Sequence, residues 1–81
     1  MNKQHADYLK AKFEEIVNNQ VTIRYETDVK VNVNDNSVVD YFVIKAQSLI
    51  WHNDWMIMES FAFLMHMCIR YDVESKEWHI W

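Results

Sequence analysis

Apolar and polar residues alternate strictly between residues 21 and 33. Val21, Ile23, Tyr25, Thr27, Val29, Val31 and Val33 fall on one side, and Thr22, Arg24, Glu26, Asp28, Lys30 and Asn32 on the other. Period two predicts a strand with one buried and one wet face. The run is longer than most strands, so a bend is expected midway. Asn34-Asp35-Asn36-Ser37 follows, built from residues that favour turns. A two-residue loop at Asp35-Asn36 sets the register of a hairpin. Val33 then faces Val38, Val29 faces Phe42, Thr27 faces Ile44 and Tyr25 faces Ala46. Glu26 falls opposite Lys45 on the wet face, a favourable cross-strand pair. One position fits badly: Asp40 falls opposite Val31.

Residues 3–18 have helical periodicity, with Ala6, Leu9, Phe13, Ile16 and Val17 on one face. Asn2 is the expected N-cap, and Asn18-Asn19 the expected C-terminal closure. Residues 55–69 are apolar nearly throughout, interrupted only by Glu59, Ser60 and His66. An element apolar on all sides is a buried one. On a helical wheel Glu59 groups with His52, His66 and Arg70. Ile57, Met58, Phe61, Ala62, Leu64, Met65, Cys68 and Ile69 occupy the other half. The expectation is a helix over 55–68, capped by Asn53 or Asp54. The alternative is a hairpin turning at His52-Asn53-Asp54, with 55–60 as a strand. Gln47-Ser48 reads as the exit from the second strand. Residues 69–81 predict a last hairpin looped at Ser75-Lys76, with Val73 facing Trp78, Tyr71 facing Ile80 and Asp72 facing His79. The order α-β-β-α-β-β predicts a small α+β domain over residues 1–81, two helices packed on an antiparallel β-sheet.

Composition adds exclusions. A chain of 81 residues buries only roughly 60–65% of its unfolded surface. Hydrophobic content of 51% and aromatic content of 15% compensate and argue against disorder. Glycine and proline are both absent, so Asn, Asp and Ser must make the turns. Without glycine there is no phosphate-cradling loop and no dinucleotide fingerprint, and no cofactor is expected. The lone Cys68 forms no intramolecular disulfide. On an apolar helix face it reads as core filler rather than as a nucleophile. The run 55–69 is shorter than the ~20 apolar residues of a membrane span. The first residues lead straight into the helical pattern without a signal peptide, so a cytoplasmic location is expected. A net charge of −4 argues against direct nucleic-acid binding and suits a basic protein partner.

His52, Glu59 and His66 lie seven residues apart, which spreads them ~10 Å apart along a helix axis. Helical metal ligands sit three or four apart, so these three predict a polar stripe and no metal. No pair of carboxylates is marked for acid–base work, and the chain reads as non-enzymatic. Met56, Phe63 and Met67 fall among the polar residues of the wheel. If the opposite half packs on the sheet they stay exposed, as an adaptable apolar patch for a protein partner. The competing expectation is that the first helix covers them. Trp51, Trp55 and Trp81 pose the same choice between core and interface.

Met56-Ile57-Met58-Glu59-Ser60-Phe61 resembles the short Glu-Ser-Ile signature of the phage uracil-DNA glycosylase inhibitors, with Phe61 in the third place. Glu26-Thr27, directly after the first helix, is the other candidate. That family consists of small acidic α+β proteins that mimic DNA. The resemblance implies a signature on an exposed strand, backed by an apolar pocket that receives a leucine of the enzyme. The functional expectation is therefore binding and inhibition of a host nucleic-acid-processing protein, most concretely uracil-DNA glycosylase. Glu59, Ser60, Phe61, Met56, Phe63 and Met67 would make the contact, or Glu26 and Thr27. An inhibitor of a restriction or CRISPR nuclease, or a homo-oligomeric structural protein, are the alternatives.

Overall fold

The computed structural model describes residues 1–20, 25–46 and 51–81, of which 18–20 and 51–52 by backbone alone. The expected strand start at 21–24 and the exit at Gln47-Ser48 lie outside the described residues. The elements are α1 (Lys3–Gln20), β1 (Tyr25–Val31), β2 (Val39–Ala46), α2 (Trp51–Leu64), β3 (Ile69–Asp72) and β4 (Glu77–Ile80). This is the α-β-β-α-β-β order of an α+β domain. The four strands form one antiparallel sheet in the order β1-β2-β4-β3.

Both helices pack on the same sheet face. Leu9, Phe13 and Val17 of α1 and Met58 and Phe61 of α2 share one core with Phe42, Ile44, Trp78 and Ile80. Edge-to-face rings tie its layers: Phe13 lies 5.2 Å from Phe61 and 5.4 Å from Tyr25. Aromatic pairs at such spacings add to their buried area. Asn2 caps α1 as expected, its Oδ1 accepting from the His5 N–H at 2.8 Å. The helix runs on to Gln20, past the closure expected at Asn18-Asn19.

The β1–β2 register is the expected one from Tyr25↔Ala46 to Lys30↔Tyr41, including Glu26 opposite Lys45. Beyond Lys30 a β-bulge intervenes, and Val31 pairs with Val39. The bulge resolves the misfit. Asp40 becomes the extra residue and is exposed, while Val39 is buried at 1%. Asn32 Nδ2 donates to Asp40 Oδ1 at 3.3 Å and braces the bulge. The expected Val33–Val38 pair is not made: β1 ends at Val31, and Val33 is 90% exposed in the turn.

The last hairpin is slipped by two residues from expectation. Tyr71 pairs with Trp78 and Asp72 with Glu77, around a four-residue loop over 73–76. A slip of two keeps every side chain on its face. The Asp72 carboxylate organises the longer loop, accepting from the Glu74 N–H at 3.1 Å, and Lys76 takes the left-handed conformation at φ 58°.

α2 begins at Trp51, four residues earlier than expected, and ends at Leu64. Asn53 therefore lies inside the helix, and Asp54 in its first turn is a buried strut rather than a cap. The helix closes in a Schellman motif. The Met67 N–H donates to the Ala62 carbonyl at 2.8 Å and the His66 N–H to Phe63 at 3.2 Å. His66 takes the left-handed position at φ 56° that glycine usually fills. The expected polar stripe ending in His66 and Arg70 is thus broken: His66 is the cap residue and Arg70 lies on β3. The strand alternative for 55–60 falls with it.

Candidate protein-binding face

A buried polar contact ties α2 to β1 beside the core packing of Met58 and Phe61. Asp54 is 1% exposed and its Oδ1 accepts a 2.8 Å hydrogen bond from the Tyr25 hydroxyl. The bond spans 29 residues and joins β1 to α2. Burial, reinforced by this bond to a carboxylate, pushes the Tyr25 phenol pKa well above its ordinary value. The first turn of a helix also favours a carboxylate. Asp54, Met58, Phe61 and Ala62 make the buried stripe of α2, so the helix turns these residues inward. Leu64 and Cys68, expected in the core, are exposed instead, Leu64 by 59%. Cys68 falls outside the helix altogether, between its cap and β3.

The rotation leaves an apolar outer face. Phe63 is 85% exposed and Met56 56%. Both therefore escape α1, which does not cover them. Two recesses flank the ridge of Ser60 and Leu64, and both residues line each of them. One recess runs along Glu59, Ala62, Phe63, Met67 and Ile69. The other, about 350 Å³ in volume, is bounded by Met56, Ile57, Phe61 and Ile16 of α1.

The sequence-derived residues divide accordingly. Glu59, Ser60, Phe63 and Met67 come together in one recess, and Met56, Ser60 and Phe61 in the other. Phe61 is a core residue, 1% exposed, at the floor of that recess rather than on its surface. Glu26 and Thr27 do not join them. They sit on edge strand β1, with Glu26 exposed opposite Lys45 on the sheet face away from the helices. Leu64 and Ile16 are additions that wheel reasoning assigned to the core. Trp55 is partly covered, its ring 5.1 Å from that of Trp78, whereas Trp81 is half exposed.

The open sheet face carries a feature that periodicity did not single out. His79 is buried there at 5%, its ring stacked 4.3 Å from Tyr41. Neither ring nitrogen has a hydrogen-bond partner, and the nearest Glu77 oxygen is 3.6 Å from Nε2, beyond bonding reach. Among the described residues no group of three or more His, Cys, Asp or Glu is placed to hold a metal ion. No described helix is long and apolar enough to cross a membrane.

Compared with family models, with curated proteins and with solved structures, the chain matches none of them.

Proposed function

We propose that this chain acts by binding another protein through the outer face of α2, without catalysis of its own. One observation carries the reading. Met56, Phe63 and Leu64 are 56%, 85% and 59% exposed around Ser60, with Glu59 lining the adjoining recess. A contiguous apolar patch with a polar rim marks an interaction site. Met56 is adaptable, and Phe63 is rich in contact area.

The most concrete target is the basic DNA groove of a uracil-DNA glycosylase. Two features support it. The net charge of −4 suits a basic surface. Glu59 and Ser60 sit beside an apolar recess lined by Phe63 and Met67, as the resemblance to the phage inhibitors implies. Here the pair is carried on a helix, not on the strand of that family, so the likeness is one of side chains and not of backbone. Glu26-Thr27 has the strand setting, but Glu26 points from the opposite sheet face and Thr27 pairs with Ile44 on the core side, so the two do not share a surface. The apolar recess favours Glu59-Ser60.

The test is excision of uracil from an oligonucleotide by a bacterial uracil-DNA glycosylase, with and without this protein. Inhibition is expected, and it should outlast DNA binding as salt rises, because apolar contact is not screened. Glu59→Ala should weaken inhibition roughly tenfold or more, the loss of one charge-assisted bond. Full excision at a large molar excess of the protein refutes this target. Capture of a bacterial protein that Phe63→Asp abolishes would then keep the face and change the target.

A further inference from the structure

Backbone hydrogen bonds fix which way the peptide groups of each strand point. Cys68 and Trp81 exchange both of theirs: the Cys68 N–H donates to the Trp81 carbonyl at 2.9 Å, and the Trp81 N–H to the Cys68 carbonyl at 3.1 Å. Successive residues of an antiparallel strand turn these groups alternately to one neighbour and the other. Trp78 and Ile80 of β4 therefore turn theirs to Ile44 and Phe42 of β2, and Val43 and Lys45 of β2 turn theirs to Asp28 and Glu26 of β1. Tyr25, Thr27 and Val29 are left with their peptide groups aimed off the edge of the sheet. At the other edge β3 turns only Ile69 and Tyr71 outward. An unpaired edge is a template for another strand, and very short edge strands blunt it. β3 has four residues and is protected in this way, whereas β1 has seven. One outward donor of β1 is nevertheless taken. The Val29 N–H donates to Oδ1 of its own neighbour Asp28 at 2.8 Å. Among the described residues Asp28 makes no ion pair, so no cation draws its carboxylate to this position.

We infer that Asp28 guards the β1 edge, its carboxylate occupying the Val29 N–H that β1 of a second copy would need in order to extend the sheet. The second copy is the strand to be refused, because two β1 edges related by a two-fold axis offer each other the same groups. Tyr25, Thr27 and Val29 are aromatic or β-branched, residue types that suit a paired strand. Against the guarded edge an incoming carbonyl meets a carboxylate oxygen instead of a donor, acceptor against acceptor. It then gives up its bond to water without replacement, which costs more than a hydrogen bond normally gains. The guard acts on the sheet edge and is independent of anything bound to α2.

Sedimentation velocity on the full chain, from micromolar to millimolar concentration, compares the parent with Asp28→Ala and Asp28→Asn. Asp28 is exposed, so neither change disturbs the core. Asp28→Ala frees the donor and should associate about tenfold or more tightly than the parent, as for one hydrogen bond regained. Asp28→Asn removes the charge but keeps Oδ1 as an acceptor, and should behave as the parent does. Amide hydrogen exchange locates the contact. In dilute Asp28→Ala the Val29 N–H should exchange about tenfold or more faster than in the parent. As concentration rises, the Thr27 and Val29 amides of Asp28→Ala should become protected. Asp28→Ala that associates no more than the parent across the whole range overturns the inference. So does Asp28→Asn that associates as Asp28→Ala does, because charge and not the bond would then be the barrier. Association that leaves Thr27 and Val29 unprotected overturns it too, because another surface would be making the contact.

Discussion

Tyr25→Phe isolates the bond that orients α2. The substitution removes one oxygen and leaves the ring that packs 5.4 Å from Phe13. What remains is the Asp54 carboxylate, 1% exposed, without the donor 2.8 Å away. A hydrogen bond to a charged group contributes about 1.5–3 kcal/mol, and a buried acceptor stripped of its donor costs a similar amount. A loss of about 2 kcal/mol lowers Tm by about 8–16 °C in a domain of this size. Replacing both partners, as in Tyr25→Phe with Asp54→Leu, should recover most of the loss, since a matched apolar pair leaves nothing unsatisfied. The pH dependence has a definite sign. The folded phenol titrates above the unfolded one, which ionises near pH 10. Its contribution is fully present below that pH and is lost as pH rises toward the folded value. Melting followed by circular dichroism should therefore show the parent losing stability above about pH 10 more steeply than Tyr25→Phe. A Tyr25→Phe variant that melts with the parent at neutral pH, or falls equally fast in alkali, would refute the strut.

Phe61→Ala should cost about 3–5 kcal/mol, whereas Leu64→Ala on the exposed ridge should stay within about 0.5 kcal/mol, both read by urea denaturation. His66→Gly should stabilise by about 1 kcal/mol in the same assay, because glycine holds the left-handed cap position without steric cost. A double-mutant cycle on Glu26 and Lys45 should give a coupling of about 0.2–1 kcal/mol, falling with added salt, and none if the register were different.

The first hairpin was readable because its alternation and its Asn, Asp and Ser turn point to one register. Its bulge was also foreshadowed: Asp40 facing Val31 is the mismatch that an extra residue removes. The second hairpin was two residues off because its loop contains no glycine or asparagine. The Asp72 carboxylate and a left-handed Lys76 shape that turn instead, and neither leaves a mark in periodicity. The face of α2 was legible only in part. For Met56 and Phe63 the pattern left exposure and cover by the first helix both open, and it placed Leu64 and Cys68 inside, where the structure exposes them. The deciding residue is Asp54, which a polarity pattern assigns to solvent. It is buried because Tyr25, far away in sequence, supplies its hydrogen bond. Long-range pairing of this kind cannot be seen in a local window.

The strand order also sets a folding itinerary. β1 meets β2, and β3 meets β4, across short loops, so each hairpin closes at small entropic cost. The seam between β2 and β4 is different. It joins Phe42 to Ile80 and Ile44 to Trp78, with all of α2 and β3 between them in the chain. Non-local pairing is the slow part of folding, and here it is concentrated in one line of contact. The two hairpins can form early and separately, but neither helix finds its complete floor until the seam zips. Truncations at Ile44 should then slow folding, while changes in the 73–76 loop should chiefly alter the rate of unfolding.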